Sequence, residues 1–227
     1  MNQSTEHKAE RRIVIQTAGS YDRLIFESFT PKAPKANEVA IAVHSIGVNY
    51  ADCMVRMGLY QSAKDFVGWP ITPGFEVAGR ITAVGSDVSR FEVGDKVLAV
   101  TLFGGYSTQV VVDATYVFSM PDGLSFEEAA GFPAVFLTAW FGLFELAHPR
   151  AGSKILVHSA AGGVGSSLVK LAQVAQCEVT GVVGASHKLQ ALQALGVDHA
   201  IDKSTEDLWK RAESIAPEGF DVIFDAN

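Results

Sequence analysis

The chain has 227 residues, of which 48% are hydrophobic and 19% charged, and its formal net charge is −7. This composition is that of a soluble globular protein and excludes collagen-like, disordered and disulfide-stapled chains. Net acidity argues against nucleic-acid binding, because a phosphate-binding face usually makes a domain basic. No apolar run reaches the ~18 residues that a membrane span needs. Polar residues 1–12 lack a signal peptide's apolar core, and the two cysteines, Cys53 and Cys177, indicate reduced thiols in a cytoplasmic protein.

The first half of the chain has the pattern of short strands separated by turns. Alternating or β-rich segments predict strands at residues 39–46, 77–84, 96–102 and 108–112. Pro and Gly pairs such as Pro73-Gly74 recur between them and predict tight turns. We therefore expect an all-β module, a barrel or a sandwich, over residues 1–124.

From Ser125 onwards helices and strands alternate. Ser125 with Glu127 and Glu128 predicts a capped helix start, and a very apolar helical stretch continues to about residue 146 with a break near Pro133. The pattern then predicts four strands and three helices in alternation, the last helix being capped by Ser204: strands at 154–158, 178–183, 199–202 and 221–225, and helices at 164–176, 187–195 and 204–215. This order predicts a doubly wound parallel sheet over residues 125–227.

A glycine-rich loop joins the first of these strands to its helix. Its sequence is predicted to bind a cofactor through Ala160, Ala161, Gly162, Gly163, Val164 and Gly165. A helix N-terminus offers unpaired N–H groups and partial positive charge to a pyrophosphate, and glycines allow the backbone to approach it. The alternative is a loop that only packs the strand on the helix, but the complete strand–loop–helix–strand context favours nucleotide binding.

The end of the second strand of this sheet selects the dinucleotide. NAD sites usually carry Asp or Glu about 20 residues after the glycines, to hold the ribose 2′-hydroxyl. Here the strand is followed by Gly184, and the nearby polar residues are Ser186 and Lys188. With no carboxylate there to repel a 2′-phosphate, we expect NADP(H), although Lys188 could also be an ordinary solvated lysine.

Several motifs occur together in an order that resembles the medium-chain dehydrogenase/reductase superfamily. They are GVNYAD at residues 47–52, PGFEVAG at 73–79, VG at 84–85, GDKV at 94–97, EEAA at 127–130 and AAGGVG at 160–165. The variant resembles the quinone oxidoreductase branch, and residues 17–22 and 58–60 resemble homologues of the vesicle amine transport protein. The resemblance implies a GroES-like catalytic module (1–124) followed by a Rossmann NADP-binding domain (125–227), with the active site in the cleft between them.

The resemblance also bears on zinc. Zinc alcohol dehydrogenases of this superfamily place Cys and His ligands where this sequence has Asn49 and Phe75. A neutral amide and a phenyl ring are poor substitutes for thiolate and imidazole, so no metal site is expected. Without a Lewis acid, reduction of a quinone or an α,β-unsaturated carbonyl compound by NADPH is the more natural chemistry.

The resemblance and the local sequence nominate further site residues. Asn49 is expected to face the nicotinamide and substrate, with capping of a turn as the alternative. Asp52 would orient its surroundings and Tyr60 would line the site, although either could be structural. Thr138 matches the family threonine that contacts the cofactor. Lys203 stands where quinone reductases often have Tyr, and it either serves the 2′-phosphate or is solvated.

The family's Rossmann domain has six strands, whereas the predicted strands here number four and end at residue 225. By resemblance the chain is therefore expected to be C-terminally truncated, lacking the last strands and the segment that returns to the catalytic module. Three readings stay open: a fragment of a homodimeric reductase of small quinones or enones, a non-catalytic nucleotide-binding or vesicle-associated module, and an inactive truncated product.

Overall fold

The structure, a computed structural model, describes residues 9–225. The chain divides into two compact units, residues 1–134 and 135–227. Most of the polar N-terminal segment lies outside the described residues, and so do the last two residues of the chain. Within residues 9–225, no helix is both long and apolar enough to cross a membrane.

The first unit contains a five-stranded antiparallel sheet with the strand order β6-β3-β4-β5-β7. Its strands are β3 (Glu38–Ile46), β4 (Glu76–Val84), β5 (Lys96–Val100), β6 (Gln109–Asp113) and β7 (Val117–Ser119). Inward-facing branched residues of these strands form one core, which includes Val39, Ile41, Val77, Ile81 and Val97. The four strands predicted in this region are confirmed, and β7 is additional.

The first unit also contains a β-hairpin and two short helices. Strands β1 (Glu10–Val14) and β2 (Ile25–Phe29) pair with each other, and a 3₁₀ turn (Tyr21–Arg23) connects them. Helices α1 (Tyr50–Arg56) and α2 (Gln61–Phe66) follow β3. A small cluster of Ile15, Val55, Ala63 and Ile71 packs these elements together.

Helix α3 (Phe126–Ala130) begins as predicted at Ser125, whose Oγ accepts the Glu128 N–H while Glu128 Oε2 accepts the Ser125 N–H. The helix belongs to the first unit, since Ala129 and Ala130 pack against Ala78 and Leu98. The first unit thus extends beyond residue 124. The predicted break near Pro133 is also present: α4 (Pro133–Trp140) starts a new helix, which continues as a π-helical segment (Phe141–Ala147).

The second unit contains a four-stranded parallel sheet with the order β10-β9-β8-β11. Its strands are β8 (Lys154–Val157), β9 (Glu178–Val183), β10 (His199–Asp202) and β11 (Val222–Phe224). In chain order this is 3-2-1-4, so the strand order reverses at β8, as in a doubly wound sheet. The predicted class is confirmed.

The helices of the second unit are α5 (Gly163–Val174), α6 (Leu189–Leu195) and α7 (Leu208–Ile215). Gly196 ends α6 with φ +73°, as its position after the helix predicts. The predicted cap of α7 is wrong. Asp207, not Ser204, accepts the N–H groups of Trp209 and Lys210. Ser204 lies in a turn that separates β10 from the helix, and its hydroxyl donates to Asp202 instead.

Candidate functional site

The glycine-rich loop between β8 and α5 turns sharply because its backbone approaches itself closely. A Cβ on Gly165 would lie 2.3 Å from Ser159 O and 2.8 Å from Ala160 Cα, so only glycine fits. Ser159 has φ +50°, a left-handed conformation that non-glycine residues adopt at a cost. Gly162 and Gly163 are exposed, whereas Gly165 and Ala160 are buried. The loop therefore presents a bare backbone at the start of α5.

The predicted cofactor residues of this loop divide into two groups. The N–H of Ala160 donates to Val182 O at 3.0 Å, and that of Gly162 donates to Ser159 O at 2.8 Å, so both serve the loop itself. Gly163, Val164 and Gly165 form the first turn of α5, whose N–H groups have no acceptor within the helix. Ala161 packs against the core of the unit. The first turn of α5 is thus the part of the loop that can donate to an anion.

The carboxyl end of β9 carries the residues expected to select the dinucleotide. Ser186 and Lys188 bound an exposed 3₁₀ turn, and Lys203 is exposed directly after β10. The N–H of Lys203 donates to Val183 O at 3.0 Å, which ties the two strand ends together. Ala160 is tied to Val182 in the same way, so the glycine loop and these lysines lie at one edge of the sheet.

A carboxylate that sequence reasoning missed lies at this edge. Asp202, at the end of β10, is 2% exposed, and its Oδ2 accepts the Ser186 hydroxyl at 2.5 Å. Its Oδ1 accepts both the Ser204 N–H at 2.9 Å and the Ser204 hydroxyl at 2.6 Å. Hydrogen bonds from Ser186 and then Ser204 lower the pKa of Asp202 to about 2. The expectation that no carboxylate is near Ser186 is therefore wrong, because the neighbouring strand β10 supplies the carboxylate of Asp202.

The backbone at this sheet edge fits a dinucleotide. An open helix N-terminus, a loop in which a Cβ has no room, and two exposed lysines supply what a pyrophosphate and an adenosine phosphate require. Thr138, the remaining predicted cofactor residue, is exposed on α4.

The first unit holds a buried polar network around Asn49. Glu76, 1% exposed at the start of β4, accepts Asn49 Nδ2 on Oε1 and the Ala134 N–H on Oε2, both at 2.7 Å. A Cβ on Gly47 would lie 2.3 Å from both Glu76 Oε1 and Ala130 O, so glycine at position 47 makes room for this carboxylate. Burial raises the pKa of Glu76. Glu76 is a second residue that sequence reasoning missed.

Asp52 forms the other half of the network. It is 5% exposed; Oδ2 accepts the Asn49 N–H at 2.8 Å and Oδ1 accepts the Gly74 N–H at 2.9 Å. The Tyr106 hydroxyl is a further hydrogen-bond partner. Burial raises the pKa of Asp52, and burial together with the Asp52 charge raises the pKa of Tyr106. Asp52 thus fixes the backbone of the two turns that carry Asn49 and Gly74, and Asn49 is the half-exposed member of this network.

Tyr60 lies in an aromatic cluster. Its ring centroid is 5.5 Å from that of Phe75 and 6.4 Å from that of Phe103. Phe75, at the position of the family's histidine ligand, therefore packs in a hydrophobic environment, while the Asn49 amide is bonded to Glu76. These two side chains do not fit a catalytic zinc ion. Among residues 9–225, no group of three or more His, Cys, Asp and Glu could hold a metal ion.

Fold and site together place the chain in the class of dehydrogenase-like proteins that join an antiparallel β unit to a doubly wound unit with a glycine-rich loop. Residues 35–122 match the model of the alcohol dehydrogenase GroES-like domain, and residues 163–227 match that of the zinc-binding dehydrogenase family. The CurK enoyl reductase structure superposes with a TM-score of 0.91 at 36% identity, over 96% of this chain and 68% of that one. The chain belongs to the medium-chain dehydrogenase/reductase superfamily and is quinone oxidoreductase-like.

Two further relatives are informative. The synaptic vesicle membrane protein VAT-1 homolog of Danio rerio is 40% identical over 95% of this chain and 44% of that protein. The Escherichia coli quinone oxidoreductase complexed with NADPH matches with a TM-score of 0.83 at 31% identity, over 91% of this chain and 63% of that one. The chain spans about half the length of the curated relatives it matches.

Proposed function

We propose that the protein is an NADPH-dependent, zinc-independent oxidoreductase that transfers hydride to a quinone or an α,β-unsaturated carbonyl compound. The observation that carries the proposal is the glycine loop, in which Gly165 packs against Ser159 O and leaves the first turn of α5 open to an anion. The similarity to an enoyl reductase and to a quinone oxidoreductase complexed with NADPH supports the reaction class.

In this proposal the second unit holds the dinucleotide. The N–H groups of Gly163, Val164 and Gly165 bind the pyrophosphate, while Lys188 and Lys203 attract the adenosine 2′-phosphate and Thr138 contacts the cofactor. Bound NADPH would supply the hydride. Because binding and orientation carry most of the rate in such a transfer, the chain's own contribution is to hold the two reactants in register.

The first unit supplies Asn49. A side-chain amide has two N–H donors, and Glu76 takes only one of them. The other can donate to the carbonyl oxygen that gains negative charge as hydride arrives, the role that zinc has in the metal-dependent branch. Asp52 positions the Asn49 backbone, and Tyr60 lines the substrate side. In this proposal the substrate is a small molecule, and the protein is a cytoplasmic homodimer that binds no nucleic acid.

Thermal stabilisation tests the cofactor part of this proposal with the chain as it is. A ligand at one hundred times its Kd stabilises the folded state by about 2.7 kcal/mol. We expect NADPH to raise the melting temperature, and Gly165→Ala to abolish that rise because its Cβ blocks the loop. The matched control Gly131→Ala, which meets only Glu127 O at 3.8 Å, keeps the effect. No stabilisation by either NADPH or NADH would contradict the proposal.

One finding favours a second candidate function, a non-catalytic nucleotide-binding module. The curated relatives include proteins named as synaptic vesicle membrane proteins. Stabilisation by a dinucleotide, without oxidation of NADPH by any quinone or enone and with co-sedimentation on lipid vesicles, would favour this candidate. Turnover of NADPH with a quinone would favour the reductase.

A further inference from the structure

The Ser186–Asp202–Ser204 cluster assigns each oxygen of one carboxylate a different task. Asp202 Oδ1 receives two donors from Ser204, which fixes the carboxylate plane. Oδ2 accepts the Ser186 hydroxyl. Asp202 is almost fully buried whereas Ser186 is exposed, so Ser186 is the part of the cluster that a bound ligand can reach.

The hydroxyl of Ser186 has a single proton, and that proton forms the hydrogen bond to Asp202 Oδ2. A serine hydroxyl has one donor and two acceptor lone pairs, so Ser186 Oγ presents only acceptor capacity towards solvent. A ribose 2′-hydroxyl can donate to such an oxygen. A 2′-phosphate carries a charge of about −1.5 to −2 at pH 7 and offers mainly acceptors. Beside Ser186 Oγ it would find no donor, and the negative charge of Asp202 would repel it.

We infer that Asp202 determines dinucleotide specificity by positioning the Ser186 proton away from the 2′ position of a bound adenosine ribose. The inference deepens the proposed function, on which it rests. Lys188 and Lys203 attract a 2′-phosphate, and the Ser186–Asp202 pair opposes them. The protein therefore prefers NADPH over NADH less strongly than the lysines alone would lead one to expect.

The substitution Asp202→Asn isolates this effect. The two Ser204 donors retain an acceptor only if the amide oxygen of Asn takes the Oδ1 position, which places its NH₂ group against Ser186 Oγ. That NH₂ donates to Ser186, so the Ser186 proton is released and can point at a 2′-phosphate. The variant changes one oxygen to a nitrogen and preserves the shape of the turn.

The experiment measures Kd by calorimetry for adenosine 2′,5′-bisphosphate and for adenosine 5′-monophosphate, which differ in the 2′ group alone. For the wild type we expect the two constants to differ by less than about tenfold. For Asp202→Asn we expect the ratio to shift towards the bisphosphate by a further ~tenfold, the scale of one charge-assisted hydrogen bond. Asp207→Asn is the matched control: it removes the same charge at an exposed cap of α7, and its ratio should equal that of the wild type.

A double-mutant cycle separates positioning from simple loss of charge. In a Ser186→Ala background there is no hydroxyl proton to redirect, so adding Asp202→Asn should leave the ratio unchanged. A gain of the same size in both backgrounds would overturn the inference, as would an unchanged ratio in Asp202→Asn when circular dichroism shows the wild-type fold. If neither nucleotide binds to any variant, the proposed function itself fails, and the inference fails with it.

Discussion

Glu76 in the first unit and Asp202 in the second are both buried carboxylates, with exposed fractions of 1% and 2%, yet their pKa values move in opposite directions. Glu76 receives one side-chain amide and one backbone N–H, and the negative charge of Asp52 lies nearby. Asp202 receives two hydroxyls and one backbone N–H. Burial is the largest cause of the raised pKa of Glu76, whereas the hydrogen bonds from Ser186 and Ser204 are the largest causes of the lowered pKa of Asp202.

The opposite pKa shifts of Glu76 and Asp202 accompany different places in the proposed chemistry: Glu76 bonds Asn49 in the first unit, and Asp202 bonds Ser186 in the second. A carboxylate held ionised beside Ser186 acts through a fixed charge and a fixed proton. Glu76, whose pKa is raised by burial, holds the Asn49 amide. The two networks use the same functional group for two different purposes, and the following variants separate them.

Substituting Gly47 gives the largest expected effect. In Gly47→Ala the new Cβ would overlap Glu76 Oε1 and Ala130 O, each 2.3 Å away, and the backbone carbonyl cannot rotate aside. We expect the free energy of unfolding to fall by about 3 kcal/mol, as for an overpacked core. Urea denaturation measures it.

Gly131→Ala is the control for this variant. It lies in the same unit with φ −92°, and its Cβ would meet only Glu127 O at 3.8 Å, so a change below about 1 kcal/mol is expected. Equal losses in both variants would show that Gly47 is not needed to accommodate Glu76.

Tyr106→Phe gives an intermediate effect. It removes the hydroxyl that bonds Asp52 and leaves the carboxylate with its two backbone donors. Loss of a hydrogen bond to a buried charge should cost about 2 kcal/mol of stability. Tyr116→Phe, where the side chain is 57% exposed, should change stability by less than about 0.5 kcal/mol. Thermal unfolding of the pair would contradict this assignment if the two variants lost equal stability.

The sequence predicts those parts of the molecule that depend on local pattern. The strands with alternating Val and Ile, the Ser125 cap, the break near Pro133 and the glycine loop with its flanking strand and helix all follow from neighbouring residues. Strand β2 and helix α2 have no such pattern. Five exposed or half-exposed residues form β2, so no buried face distinguishes it in the sequence.

The parts that local pattern misses are contacts between distant residues. Asn49 meets Glu76 across 27 positions, and Ser186 meets Asp202 across 16. The sequence rule for NAD sites considers only residues that follow β9, whereas the acid here, Asp202, comes from the neighbouring strand β10. Ser204 is likewise a good helix cap by sequence alone, but its hydroxyl donates to Asp202 at the end of β10. The predicted order of the parallel strands places the ends of β9 and β10 side by side, and this is the information that could have identified Asp202 as the partner of Ser186 and Ser204.

The smallest expected effect is a difference in pH dependence between Glu76→Gln and Asp202→Asn. Burial raises the pKa of Glu76 above its ordinary value of 4.5, so the folded protein keeps this proton to higher pH than the unfolded chain does. Wild-type stability therefore falls as pH rises through that window. Glu76→Gln lacks this term, and the Asn49 amide can rotate to accept from Gln. Relative to wild type the variant therefore gains stability with rising pH, by at most about 1.4 kcal/mol per pH unit.

Asp202→Asn should show the opposite sign in a lower window. Hydrogen bonds lower the pKa of Asp202 from its ordinary 3.8 to about 2 in the folded protein, so its contribution is complete above pH 4 and is lost as pH falls towards 2. Relative to wild type the variant therefore loses stability as pH rises through that range. Urea midpoints from pH 2 to 8 for both variants decide the matter. Slopes of the same sign would mean that burial dominates at both sites, and that the three donors around Asp202 do not distinguish it from Glu76.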